Sequence, residues 1–411
     1  MLNLFKTRSY FFLCPVIFFA LYACAGRQAA NTTTNDDITL AVYYFPGYHT
    51  REAGDLPFDH RHPGDWTEWE LVKTAAPRFP GHKQPNVPLW GYQDERNPTV
   101  MAKKIDAAAD NGIDVFIFDW YYFNTGPFLN RALDEGFLGA ENTDRLKFAL
   151  MWANHTWCDI FPKTGGGIPE TIHEGVVTPE VFDKIGDLVI DRYFSKSNYW
   201  TIDQKPYFSV YDVSSFVKSF GSIENTRKAM DAWDAKVVAA GFPGIHWNFI
   251  IGDPALVDES NFSRAELCHL LNVNSAASYM SFHQVDLNNL ETDFPELTQR
   301  YLKYWFDHKT DLRIPYFYNV TKGFDPSPRT NRETEWDAAF GYPYFNTITN
   351  NTPENFRKAL QQTRDTVLMH QDIPNIITIA AWNEWTEDCY LEPDTEYGMA
   401  YLEAIKDVFG K

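Results

Sequence analysis

Eight short apolar runs, rich in β-branched and aromatic residues, recur along the chain at 39–45, 113–119, 146–152, 206–211, 246–251, 273–280, 314–319 and 376–382, with longer helical patterns between them. Three helix starts are written alike. Asn97-Pro98, Thr178-Pro179 and Thr352-Pro353 each place a capping side chain before a proline suited to the first helical turn. Strands that alternate with helices predict a parallel sheet. Eight such units predict an α/β fold, a closed (β/α)8 barrel of TIM type built from a single domain over 38–411. The rival architecture is an open doubly wound sheet, which usually carries a Gly-rich phosphate turn after its first strand. Here the first run continues into Phe45-Pro46-Gly47-Tyr48-His49, which cannot serve as that turn.

The start of the sequence reads as targeting rather than fold. Lys6 and Arg8 precede an apolar run that ends in Leu21-Tyr22-Ala23-Cys24. The run is shorter than the roughly 20 residues a membrane span needs. Residues 1–23 are expected to be a signal peptide. The small residue before Cys24 resembles a bacterial lipobox. Residues 24–37 are then a polar tether, lipidated at Cys24, that holds an exported domain at the cell envelope. An ordinary cleaved signal with an incidental cysteine is the alternative. Cys14 and Cys24 belong to this segment, which leaves Cys158, Cys268 and Cys389 with no CxxC spacing. No structural metal is expected, and the pairing of any disulfide stays open. His60-Arg61-His62 has no visible third ligand and reads as a solvated loop. No cofactor is implied.

The formal net charge of −19 argues against nucleic acid as a partner, because affinity there comes from Lys and Arg. It is compatible with a neutral sugar polymer. In a barrel, chemistry sits where strands end and loops begin. Those ends carry Tyr44 and His49, Asp119 and Trp120, Trp152, Asn154 and His155, Tyr211, and Trp382 and Trp385. His246 and His283 also fall near strand ends. Aromatic faces stack on the C–H face of a sugar ring, while carboxylates and amides bond its hydroxyls. These residues are therefore candidate contacts for a carbohydrate substrate. The alternative for any one aromatic is core filling.

The last run ends in Trp382-Asn383-Glu384-Trp385-Thr386-Glu387. Residues three apart on a strand face opposite sides, so Glu387 joins Glu384 only if the chain turns after Trp385. Two carboxyl groups flanking one bond are what glycoside cleavage needs, one as proton donor and the other as base or nucleophile. A capped loop with a solvated ion pair has the same spacing.

This stretch, with Tyr390-Leu391-Glu392-Pro393-Asp394 and Tyr397-Gly398, resembles the signature of the WbsX-like proteins. Those proteins are similar to glycoside hydrolase family 99, the endo-α-mannosidase and endo-α-mannanase family. Residues 41–49, Trp66-Thr67-Glu68-Trp69, Pro85, Gly91-Tyr92, 112–121, Trp152-Ala153-Asn154 and Lys205-Pro206-Tyr207 agree, in the same order. Residues 213–345 carry no such motif. Trp69 and Glu392 join the candidate substrate contacts from these motifs. The resemblance implies a barrel and a retaining mechanism. Glu384 would act as base on the sugar 2-hydroxyl, giving a 1,2-anhydro intermediate. Glu387 would be general acid, then base for water. The chain has Trp385-Thr386-Glu387-Asp388 where the mannosidases tend to carry a His and a Gly, which separates substrate from chemistry. Two rivals remain. One is a glycosyltransferase of polysaccharide synthesis, which export disfavours because nucleotide sugars are cytoplasmic. The other is a sugar-binding lipoprotein without catalysis.

Overall fold

Strands that are buried on both faces must be apolar almost throughout, and the eight runs meet that condition. The computed structural model describes residues 37–257, 261–280 and 290–410. The leader expected at 1–23, Cys24 and His283 lie outside the described residues. The barrel strands are β1 (Thr39–Tyr44), β2 (Val115–Phe123), β3 (Lys147–Trp152), β4 (Lys205–Val210), β5 (His246–Ile250), β6 (Ser275–Ala277), β7 (Tyr316–Thr321) and β8 (Ile376–Ala380). Each pairs in parallel with the next. The ring closes through Thr39↔Ile376 and Val42↔Ile379, between β1 and β8. This is the (β/α)8 barrel that the alternating runs predict.

Helices fill the crossovers and form the outer layer: α1 (Pro98–Asp110), α2 (Pro179–Val189), α3 (Val213–Phe220), α4 (Ile223–Ala239), α5 (Arg264–Leu270), α6 (Phe294–Leu312), α7 (Pro353–Met369) and α8 (Ala400–Phe409). The three Pro-marked starts cap as written. Asn97 accepts from the Thr99 amide, Thr178 from Val181 and Thr352 from Asn355. Cys158, Cys268 and Cys389 are free thiols.

Two strand ends depart from the sequence pattern, and both departures shape the mouth of the barrel. β2 runs on to Phe123 because Tyr121–Phe123 pair in antiparallel fashion with Gly126–Phe128. β6 stops at Ala277, which frees Tyr279 and Met280 to leave the ladder and line a cavity. Polar side chains inside the ring bond one another. Ser209 Oγ donates to Asn248 Oδ1 at 2.9 Å, and Asn319 Nδ2 donates to Thr378 Oγ1 at 3.1 Å.

Candidate active site

The loop after β8 turns because its own side chains brace it. The Trp382 amide donates to the Tyr43 carbonyl at 2.7 Å. Asn383–Glu384 then pairs antiparallel with Cys389–Tyr390. One tight helical turn, Trp385–Glu387, lies between, and Asp388 closes it at φ 50°. Asp tolerates that left-handed conformation better than most residues. Under the loop, the Glu392 carboxylate accepts from the indole nitrogens of Trp382 and Trp385, each at 2.8 Å. Lys104 of α1 sits 2.6 Å from Glu392 and 2.5 Å from Glu95. Asn383 Nδ2 donates to Glu95 at 2.8 Å and its Oδ1 accepts from the Phe45 amide at 2.9 Å. Lys104 is thus the one cation for two buried carboxylates. Lys104→Met should cost about 3–5 kcal/mol, because removing one member of a buried ion cluster strands the others. A thermal melt equal to wild type would contradict this.

The brace brings both glutamates of the motif to one cavity of about 530 Å³ at the carboxyl ends of the strands. Glu384 is 5% exposed and Glu387 7%. They bracket Arg329, from the loop after β7. Glu387 Oε1 lies 2.6 Å from Nη1, and Glu384 Oε2 lies 3.5 Å from Nη2. A third carboxylate holds the guanidinium from behind: Glu68 accepts from Nη2 at 2.8 and 3.1 Å. The Thr386 hydroxyl also donates to Glu68. Tyr342 donates its hydroxyl to Glu387. Across the floor, the Tyr279 hydroxyl donates to Asp119 Oδ2 at 2.8 Å and lies 3.4 Å from Glu384 Oε1. Among the described residues, Glu384 Oε2 and Asp119 Oδ1 are buried acceptors without a hydrogen-bond donor.

Three carboxyl groups surround one guanidinium, and Asp119 lies beside them, so burial and mutual repulsion act against full ionisation. Burial, then the neighbouring charge of Glu387, pushes the Glu384 carboxyl well above the usual carboxylate range. Burial does the same to Asp119. Glu68 is raised by burial, against the pull of Arg329. His155 is held below its ordinary value by burial, so it stands in the cavity as a neutral imidazole.

Of the residues singled out in the sequence, Glu384, Glu387, Asp119, His155 and Tyr211 line this cavity together. The others do not, and the physical reason is mostly the period of two along a strand. Tyr44, Trp120 and Trp152 alternate with Tyr43, Asp119 and Met151, and so point outward. Tyr44 bonds Met101 of α1, Trp120 packs on Tyr193, and Trp152 packs on Phe182 and Phe216. His49 is buried and bonds the Thr50 carbonyl. Trp69 stacks on Tyr48 and donates to the Gln93 carbonyl. Asn154 stitches the end of β3 to Asp212, donating to its carbonyl and accepting from its amide, both at 2.7 Å. Trp382, Trp385 and Glu392 form the brace. These nine side chains shape the mouth without lining it. Sequence reasoning missed Tyr279, Arg329, Tyr342 and Glu68. Glu68 lies inside a motif whose tryptophan was selected instead. Arg329 and Tyr342 lie where no motif was matched.

The fold is of the class used by barrel glycosidases. It is similar to the family 99 endo-alpha-mannosidase of Bacteroides thetaiotaomicron, with a TM-score of 0.53 at 13% identity over 91% of this chain and 97% of that one. A solved glycoside hydrolase-like protein matches with the same TM-score and identity over 96% and 97%. The chain belongs to the family described as glycosyltransferase WbsX, whose model matches residues 40–405. A protein named WxcX from Xanthomonas campestris pv. campestris is 24% identical over 93% of this chain. The chain spans about half the length of that relative, 52%.

Proposed function

We propose that this protein is a glycoside hydrolase that cleaves an oligosaccharide or polysaccharide with Glu384 and Glu387. One observation carries the reading: two buried glutamates share one guanidinium on the floor of an aromatic-lined cavity at the barrel mouth. The α-mannoside specificity of the solved neighbour is one option for the bond. Retaining chemistry follows the roles that the resemblance implies. Glu384 takes the proton of the 2-hydroxyl as that oxygen attacks the anomeric carbon. Glu387 gives its proton to the leaving oxygen. A water then attacks the anomeric carbon and opens the anhydro ring, Glu387 taking the water's proton while Glu384 returns its proton to the 2-oxygen. Burial and the neighbouring charge favour the proton on Glu384, so the base role requires that proton to leave Glu384 when substrate binds. Arg329 touches both carboxyl groups and can follow the charge from one to the other.

A transferase would place a nucleotide diphosphate in the same cavity. Among the described lining residues Arg329 is the one fixed cation, and three glutamates already hold it. That supports hydrolysis over transfer. New reducing ends released from an oligosaccharide with no nucleotide sugar present test the reading. Turnover only with an activated donor would favour the transferase.

The pair should titrate as a unit, with a bell-shaped pH–rate profile. Activity requires one proton on the pair. It should rise as the first proton leaves and fall as the second leaves. Because Glu384 is raised, the last proton leaves late and the alkaline limb should lie above the ordinary carboxylate range. An alkaline limb at the ordinary value would contradict the buried-pair account. Export and anchoring through Cys24 belong to the same proposal. Cys24→Ala should move the protein from membranes to the soluble fraction, and unchanged partitioning would rule out acylation there.

A further inference from the structure

The cavity's lining divides by chemistry. Its charged groups and the Tyr279 and Tyr342 hydroxyls gather around Arg329, Glu384, Glu387 and Asp119 on the floor. A second set of lining side chains comes from two loops. Trp157, Ile160, Phe161 and Pro169 belong to the excursion after β3, and Phe324 and Phe345 to the loop after β7. These six side chains form a collar and offer carbon, while Thr156 and Cys158 of the same excursion add a hydroxyl and a thiol beside them. The one polar side-chain atom among the six, Trp157 Nε1, is already bonded to the Phe58 carbonyl at 2.8 Å. Phe161 lies nearly parallel to Trp157, with ring centroids 5.3 Å apart, and Phe58 packs edge-on against Trp157. Trp157 and Phe161 are therefore held in place.

Aromatic faces alone would suit the C–H face of any hexose. Ile160 and Pro169 add aliphatic surface, which matches a carbon substituent and nothing else. A hydroxymethyl group pressed against these six side chains gives up its water and meets no free donor or acceptor on them. A methyl group has no such loss and gains apolar contact. We infer that the collar receives a methyl-bearing sugar unit, a 6-deoxyhexose or an O-acetylated sugar. The inference rests on the glycosidase reading for its substrate, and it names the class of that substrate.

The test uses the full domain with both catalytic carboxyls neutralised, Glu384→Gln with Glu387→Gln, so that binding is read without turnover. Calorimetric titration compares matched methyl glycosides: 6-deoxy-D-mannose with D-mannose, L-fucose with L-galactose, and each parent with its 6-O-acetyl ester. The methyl-bearing member of at least one pair should bind about 10–200-fold more tightly, the range that one small apolar group commands in a pocket. A gap in a deoxy pair identifies a deoxy sugar, and a gap in an acetyl pair an acylated one. Adding Ile160→Asn, which places an amide on the collar at a half-buried site, should narrow that gap while a thermal melt shows the fold intact. The inference is overturned if no pair favours its methyl-bearing member, or if the asparagine leaves the gap unchanged. If the preference holds while the wild-type protein cleaves no glycoside, the collar is as described and the glycosidase reading is the part that fails.

Discussion

Glu387→Gln is expected to slow cleavage of a natural oligosaccharide by about 10²–10⁴, the usual worth of a positioned acid. An activated aryl glycoside, whose leaving group needs little proton, should lose much less. Glu384→Gln removes the base that opens the reaction, so both kinds of substrate should lose activity together. The contrast between substrates separates the two roles, and a melt beside each assay separates chemistry from folding. Each carboxyl is buried against Arg329 rather than standing at a solvated rim. Each change removes a carboxyl group from a crowded cluster and keeps the shape. Wild-type turnover by both variants would make the pair structural. The search for the site would then move to Asp119 and His155.

The second large effect is expected at Arg329. Arg329→Met leaves Glu68, Glu384 and Glu387 buried with no cation, and breaking such a cluster typically costs about 3–5 kcal/mol. Activity should be lost with it, because nothing then follows the charge between the two glutamates. Arg329→Lys keeps the charge but not the fork that bonds Glu68 and Glu387 at once. It should melt between the wild type and the methionine variant. If Arg329→Met unfolded with the wild type, the carboxyl groups would be neutral in the fold and the ion cluster would not exist.

What the sequence made legible followed from local rules. Apolar runs mark the strands and capping residues mark three helix starts, so all eight barrel strands lie where the apolar runs place them. The motif after β8 marks the glutamates because its two tryptophans and Glu392 build the turn that exposes them. Which strand-end aromatics face the cavity was not legible, since the inside of a barrel is set by the register of the whole ring. A shift of one residue exchanges Tyr43 with Tyr44 and Asp119 with Trp120. Arg329, Tyr279 and Glu68 come from distant loops that the barrel alone brings together. Arg329 and Glu68 are 261 positions apart, and no local pattern joins them.

The central claim is that the two glutamates cleave a glycosidic bond with water. It is tested most directly by incubating the purified domain with an oligosaccharide panel in ¹⁸O-water, with no nucleotide sugar present, and weighing the products. The account predicts new reducing ends that each carry one ¹⁸O atom, and none from the Glu384→Gln, Glu387→Gln double variant. Labelled ends from the double variant, or product from the wild type only after a nucleotide sugar is added, would contradict it.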